Sequence, residues 1–221
     1  MNEIVLDTET TGLSVKEGHK IVEIGCIELN DLVPTKNKFH CYLNPERKVS
    51  DKALEVHGYT DEFLSNKKKV NEVADDFLNF IKNKRLIIHN AEFDLSHLNN
   101  ELKILGRKPI ENEIIDTLVL ARNKFPGSSI SLDALCKRYR IDNTKRTLHT
   151  ALIDCDLLAK VYINLTDQKE PMLNFKNQES HKTKDTSKKV LHYKKVVIPS
   201  KEELENHKIY LKDTLKKNFF N

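Results

Sequence analysis

Two acids two residues apart, Asp7 and Glu9, follow the apolar run Ile4-Val5-Leu6. On a strand, residues at that spacing point to one face. Neighbouring carboxylates repel each other, and a site that keeps both ionised commonly holds a divalent cation. The strand gives way at Thr10-Thr11-Gly12. Such a turn sits at the carboxyl edge of a sheet, where α/β sites tend to lie. Taken alone, the pair reads more simply as ordinary strand-end acids.

Two further places carry similar chemistry. Asp94 ends His89-Asn90-Ala91-Glu92-Phe93-Asp94, which follows the apolar Leu86-Ile87-Ile88. A strand opening into a helix there puts Asp94 in the first helical turn, where an acid stabilises the helix dipole without any other duty. His149 and Asp154 are five positions apart. On one helix that is about 140° around the axis, so they cannot share a face. Both reach one site only if His149 precedes the helix, with Thr150 as its cap and Asp154 inside the first turns. Ile153, Cys155 and Leu157 make that helix apolar, so an acid within it needs a partner. By itself His149 reads as a surface histidine.

The elements that must position these groups follow from periodicity. Residues 4–7, 21–29, 38–43, 86–88 and 114–115 read as strands. Val70, Val73, Ala74, Phe77, Leu78 and Ile81 form a helical stripe. Residues 93–105, 131–139 and 151–165 are the other predicted helices, the first ending at Gly106 with Pro109 beyond. Three strands followed by alternating helices and strands predict an α/β fold, a mixed sheet flanked by helices.

After Thr166 the pattern fails. Residues 176–189 are polar and lack glycine, and read as a charged, extended linker. Order is predicted to return at Pro199-Ser200-Lys201-Glu202-Glu203, where Ser200 can cap a helix and Glu203 sits three residues on. Leu204, His207, Ile209, Leu211 and Leu215 would form its apolar side.

Composition narrows the classes. The 221 residues carry a net charge of +4, unevenly spread. Residues 1–165 hold 24 Lys and Arg against 25 Asp and Glu, and residues 166–221 hold 13 against 8. A near-neutral body does not by charge alone point to nucleic acid. No apolar run approaches the roughly 20 residues of a membrane helix, and acids interrupt the only apolar stretch at the start. A cytoplasmic location is expected. The four cysteines, at 26, 41, 136 and 155, show no C-x-x-C spacing. Cys26, Cys136 and Cys155 read as buried thiols in a reducing compartment rather than as zinc ligands.

D-x-E, H-N-x-x-F-D and H-x-x-x-x-D, in this order, resemble the DEDDh exonuclease superfamily, whose fold is ribonuclease H-like. Further stretches are similar to its epsilon branch, the proofreading subunits of bacterial DNA polymerase III. They are His57-Gly58 with Asp61-Glu62-Phe63-Leu64, Phe125-Pro126-Gly127, Ser131-Leu132-Asp133-Ala134-Leu135-Cys136, and Asp142-Asn143 with Lys145-Arg146-Thr147-Leu148-His149. The resemblance covers residues 1–166.

The resemblance implies a mixed five-stranded sheet and a 3′→5′ exonuclease domain over residues 1–166. Asp7, Glu9, Asp94 and Asp154 would hold two Mg²⁺ or Mn²⁺ ions, and His149 would be the general base. Water would attack the terminal phosphodiester and release a nucleoside 5′-monophosphate. Asp7, Glu9, Thr10, Gly12, Leu13, His57, Phe93 and Asp154 would meet the terminal nucleotide; Phe93 is equally readable as plain core. His89 would orient the site rather than react. The substrate would be a single-stranded or frayed DNA 3′ end, with no membrane involved. Residues 167–197 would be a flexible linker. Within it Glu170-Pro171-Met172-Leu173-Asn174-Phe175 holds the place of a sliding-clamp-binding peptide, with Glu170 where family peptides favour Gln. Residues 198–221, ending in Phe219-Phe220, would be a helical tail that binds the polymerase catalytic subunit.

Two alternatives stay open at this point. RNA-trimming relatives such as ribonuclease T and oligoribonuclease share the acids, but the stretches around His57 and Ser131 and the long tail point to epsilon. A non-catalytic polymerase adaptor would usually have lost one of Asp7, Glu9, Asp94, His149 or Asp154, and all five are present.

Overall fold

The computed structural model describes residues 2–144, 146–166 and 199–213, with side chains to residue 210 in the last stretch. Its centre is a five-stranded sheet in the order β3-β2-β1-β4-β5. The strands are β1 (Asn2–Thr10), β2 (Ile21–Asn30), β3 (Val33–Tyr42), β4 (Arg85–Ile88) and β5 (Ile114–Asp116). β1 pairs antiparallel with β2 and parallel with β4, so the sheet is mixed, as the ribonuclease H-like fold requires. β1 is central because its apolar residues serve both faces. Val5 joins Ile27, Ile87, Leu158 and Val161 in one core. Ile4 and Leu6 join Ile24, Leu86, Phe77 and Leu98 in the other. With a period of two, Asp7 and Glu9 fall on the side of Val5, and Thr8 falls on the side of Leu6.

Helices cover both faces. In chain order they are α1 (Asp51–His57), α2 (Asp61–Ser65), α3 (Val70–Ile81), α4 (Ala91–Ile104), α5 (Thr117–Lys124), α6 (Leu132–Tyr139) and α7 (Ala151–Leu165). α3 buries Val73, Ala74, Phe77 and Ile81, four members of the predicted stripe. α7 buries nine residues and packs on β1 and β2. α1 and α2 do not stand out in the sequence, because helices of seven and five residues show too little periodicity to detect, and α5 buries only Thr117 and Ala121, where α6 of equal length buries Leu132, Leu135 and Cys136. Their caps are legible in retrospect: the Ser50, Thr60 and Asp116 side chains accept amide bonds from Ala53, Phe63 and Leu118.

β3 corrects the predicted span of 38–43, since it begins at Val33. It is an edge strand, and Lys36 and Lys38 hide its strand character while protecting the edge from further pairing. Cys26, Cys136 and Cys155 are buried free thiols, as expected. Among the described residues no helix is long and apolar enough to cross a membrane.

The chain divides into two units, Met1–Asn174 and Phe175–Asn221. In the second, α8 spans Lys201–Asp213. Its start is the predicted capping box: Glu203 N–H donates to Ser200 Oγ at 3.2 Å, and Ser200 N–H donates to Glu203 Oε2 at 2.7 Å. Leu204 and Ile209 are exposed on it. The segment 170–175, the side chain of Leu211, and Leu215, Phe219 and Phe220 lie outside the described residues.

One close approach decides how α7 sits. A Cβ on Gly25 would lie 2.6 Å from the Ala151 carbonyl carbon and 2.8 Å from the Leu152 nitrogen. Backbone cannot yield as a side chain does, so Gly25→Ala must push the start of α7 off β2. The expected loss is about 1–3 kcal/mol, the usual cost of overpacking. Urea unfolding measures it, and an unchanged midpoint would show that α7 is not seated on Gly25.

Candidate active site

The predicted acids converge at the carboxyl edge of β1. Asp94 comes from the first turn of α4, and its Oδ1 accepts from Thr8 N–H at 2.9 Å and Thr8 Oγ–H at 2.7 Å. α4 starts at Asn90, a left-handed residue whose side chain makes no cap. Asp116, at the end of β5, replaces it: its carboxylate accepts from Asn90 N–H and Ala91 N–H, both at 3.1 Å. The even-numbered Thr8 thus fixes Asp94 while the odd-numbered Asp7 and Glu9 face α7.

From α7 comes Asp154, with His149 just before the helix and Thr150 at the cap. That is the arrangement their spacing requires. One carboxylate oxygen each from Glu9 and Asp154 and one ring nitrogen of His149 lie within 4.8 Å of one another. Arg146 closes the group. Its Nε donates to Asp154 Oδ1 at 2.5 Å and its Nη2 to Asp154 Oδ2 at 2.7 Å. Nη2 also lies 2.8 Å from His149 Nδ1, and Nη1 donates to Asp133 Oδ2 at 2.7 Å. A guanidinium only donates, so Nδ1 accepts there and a neutral His149 carries its proton on Nε2.

The charges answer this crowding. Burial, then Asp94, Glu9 and Asp154, push Asp7 well above the usual carboxylate range. Burial and the neighbouring Asp154, Glu23 and Asp94 raise Glu9 to about 8. Burial raises Asp94 to about 7 against the bonds from Thr8. Asp154 goes the other way: burial raises it, but His149 and Arg146 outweigh that and lower it. A set of hard oxygen donors that resist ionising together, with one imidazole beside them, fits a divalent cation.

The remaining predicted residues surround the group. The Thr10 hydroxyl donates to Gly12 O at 2.8 Å, which ties the turn after β1. The His19 ring packs directly against Gly12, where any side chain would clash. Leu13 is 80% exposed at the tip of that turn and is open to a ligand. His57 is buried, and its Nε2 meets Thr10 O at 3.2 Å. Phe93 is half-buried, its ring centroid 4.7 Å from that of His97. His89 is not in the cluster; its Nδ1 meets Thr117 Oγ at 2.9 Å.

Sequence reasoning gave no role to Thr8, Glu23, Asp116, Asp133 or Arg146. Glu23 left a readable signal as an acid inside the apolar run Ile21-Val22-Glu23-Ile24, and Asp133 and Arg146 stand in stretches that carry the family resemblance. Thr8 and Asp116 act through partners on remote segments, and Asp133 and Arg146 through each other and the start of α7.

A family model described as Exonuclease matches residues 4–162. The DNA polymerase III subunit epsilon of Rickettsia felis (strain ATCC VR-1525 / URRWXCal2) is 47% identical over 224 residues, covering 98% of each chain. The protein of that name from Escherichia coli (strain K12) is 49% identical over 172 residues, 74% of this chain and 71% of its own. Among solved structures, Exonuclease X in complex with 5′ overhanging duplex DNA aligns with a TM-score of 0.61 at 27% identity, over 75% of this chain and 91% of that one. The nuclease domain of 3′hExo, a DEDDh family member bound to rAMP, aligns with a TM-score of 0.65 at 18% identity, over 76% and 92%. The last shares the fold.

The raised carboxylates give a pH signature. Glu9 binds its proton more tightly in the folded chain than in the unfolded one, where 4.5 is the ordinary value. Its contribution to stability is therefore present below about 4.5 and lost as pH rises towards about 8. Glu9→Gln, which cannot ionise, should melt higher than the parent at pH 8 in EDTA, and the gain should vanish as pH falls to 4.5. Thermal melts of both proteins across that range check it. Equal melting temperatures at every pH would mean that Glu9 does not suffer from its neighbours.

Proposed function

The chain belongs to the Exonuclease family and, within it, to the DNA polymerase III epsilon branch, and from that premise we propose how its site works. It is a 3′→5′ exonuclease that proofreads for a bacterial replicative DNA polymerase. One observation carries the chemical reading: Asp7, Glu9, Asp94, Asp154 and His149 meet at one sheet edge although they are spread over nearly 150 residues of sequence.

Asp7, Glu9, Asp94 and Asp154 would hold two divalent ions, Mg²⁺ or Mn²⁺. When bound, such a pair stabilises the attacking and leaving oxygens of an in-line displacement at phosphorus. The protein's own groups do the rest. His149 is the base that takes the proton of the attacking water. Taking it at Nε2 requires the other tautomer, with a proton on Nδ1. Asp154 Oδ2, 3.4 Å from Nδ1, can hold that tautomer once Arg146 withdraws. Thr10, Gly12, Leu13, His57 and Phe93 line the place of the terminal nucleotide beside Asp7, Glu9 and Asp154. The product is a nucleoside 5′-monophosphate, and the shortened strand keeps its 3′-hydroxyl. A mismatched end frays more readily than a paired one, which gives selectivity without reading bases.

Residues 1–166 are the catalytic domain in this reading. Residues 167–197 are a linker carrying the clamp-binding peptide 170–175, and 198–221 bind the polymerase catalytic subunit. The protein works in the cytoplasm. A tether of this kind raises the effective concentration of the nuclease at the primer end, so the body needs little DNA affinity of its own. That agrees with its near-neutral charge.

The test of the chemistry is hydrolysis of single-stranded and 3′-mismatched DNA. EDTA should abolish it, and Mg²⁺ or Mn²⁺ should restore it. His149→Ala should slow it by about 10²–10⁴-fold, the scale of a lost general base, with Mn²⁺ affinity retained. Full activity in excess chelator would sink the metal reading, and an unchanged rate in the variant would remove His149 from the mechanism.

The division of the chain has its own test. A chain of residues 1–166 should fold, cut single strands at nearly the full-length rate and fail to co-purify with the polymerase catalytic subunit. Charged residues in place of Phe219 and Phe220 should weaken that complex and leave hydrolysis alone, since a few anchors carry most interface energy. Tight binding by residues 1–166 would put the docking surface on the nuclease body.

A further inference from the structure

β2 carries one side chain out of keeping with its neighbours. Glu23 lies between Val22 and Ile24, and none of it is exposed. A buried carboxylate needs hydrogen-bond partners, and Glu23 has three from three separate segments. Tyr59 Oη–H donates to Oε2 at 2.8 Å. Ala151 N–H donates to the same oxygen at 2.9 Å. His40 Nε2 lies 2.7 Å from Oε1.

Each of the first two partners stands one step from the site. Ala151 N–H is the first amide of α7, one of the four that a helix leaves unpaired. A carboxylate there also suits the positive end of the helix dipole. His149 is two residues before it, and the His149 N–H is itself tied to Val56 O at 3.0 Å. Tyr59 N–H donates to His57 Nδ1 at 3.0 Å, and the His57 and Tyr59 rings stack with centroids 4.8 Å apart. On the strand side, Glu23 is the direct cross-strand partner of Glu9. Gly25, two residues on and on the same face, leaves room for the Ala151 backbone.

We propose that Glu23 is a positioning residue for the nuclease reaction. It clamps the first amide of α7 and the Tyr59 hydroxyl to β2 at the level of Glu9. It thereby fixes His149 and Asp154 against Asp7 and Glu9, and His57 against the turn at Thr10. Glu23 meets neither nucleotide nor cation. Its role rests on the reading of the site given above.

The two natural substitutions part company. Glu23→Gln keeps the clamp: the amide oxygen in the Oε2 position still accepts from Ala151 and Tyr59. Its NH₂ then faces His40, whose Nε2 accepts in the other tautomer. Glu23→Leu fills the space and removes every acceptor. In the full-length protein with Mn²⁺ and single-stranded DNA, Glu23→Leu should lower kcat by about 10²-fold, the cost of misplacing reacting groups by about 1 Å. KM should rise as well, because His57 and Asp154, which the clamp places, also meet the nucleotide, and Glu23→Gln should stay within about threefold of the parent in both. Tyr59→Phe removes one donor and should fall between them.

A second readout needs no activity. Amide hydrogen exchange at Ala151 and Leu152 should speed up in Glu23→Leu and not in Glu23→Gln, under conditions where circular dichroism shows both folded. A folded Glu23→Leu with parental kcat and parental exchange would overturn the proposal, as would Glu23→Gln as damaged as Glu23→Leu. Should Glu23→Leu not fold, Tyr59→Phe and Glu23→Gln decide, and parental kcat and exchange in Tyr59→Phe would again overturn it. His149→Ala is run beside them. If it cuts like the parent, the reading of the site fails, while the exchange measurement still judges the clamp.

Discussion

Mutual repulsion among Asp7, Glu9, Asp94 and Asp154 is the constraint to which the rest of this molecule answers. Two like charges about 5 Å apart repel by about 3 kcal/mol at an effective dielectric constant near 20. A whole domain is stable by only about 5–15 kcal/mol. Four such groups cannot all stay ionised and unpaired at one sheet edge. The chain's own groups answer this in two ways. Asp7, Glu9 and Asp94 hold their protons to higher pH, and Arg146 brings its positive charge to Asp154. Divalent cations would supply more charge in less space, so the same crowding that is a cost without metal becomes affinity with it.

That constraint also explains the fold around the site. Acids that repel must be held by something stiffer than their own contacts. Asp7 and Glu9 sit on the central strand, which has core on both sides. Asp94 rides on a helix whose start is pinned by Asp116, and Asp154 on one seated on Gly25 and Glu23. The ordered cost is borne by the sheet and helices, and the site inherits their rigidity.

Much of this was legible in the residues. The period of a strand put Asp7 and Glu9 on one face, and the geometry of a helix put His149 ahead of Thr150. The stripe from Val70 to Ile81 gave α3. What escaped reading depends on register between distant segments. Thr8 looks like any strand threonine until Asp94 arrives from 86 positions away. Arg146 stands in a stretch that carries the family resemblance, but its contacts with Asp133, His149 and Asp154 come together only when α6 and the start of α7 lie side by side. Short helices such as α1 and α2 carry too few apolar positions for a pattern. The long β3 was cut short in prediction because edge strands are charged for reasons of solubility, not of secondary structure.

The order of the segments along the chain has a consequence for biosynthesis. β1 supplies its two acids at the outset, but α7, which carries Asp154 and follows His149, is the last helix of the body. It packs across the first two strands. A chain emerging from the ribosome therefore holds three of the acids long before it holds the base and the fourth. Contacts of such long range form late, after the intervening loop has been closed. The nuclease is thus assembled by its own final docking step, and a nascent chain that ends before α7 has neither the fourth acid nor one side of the core, and no cutting power.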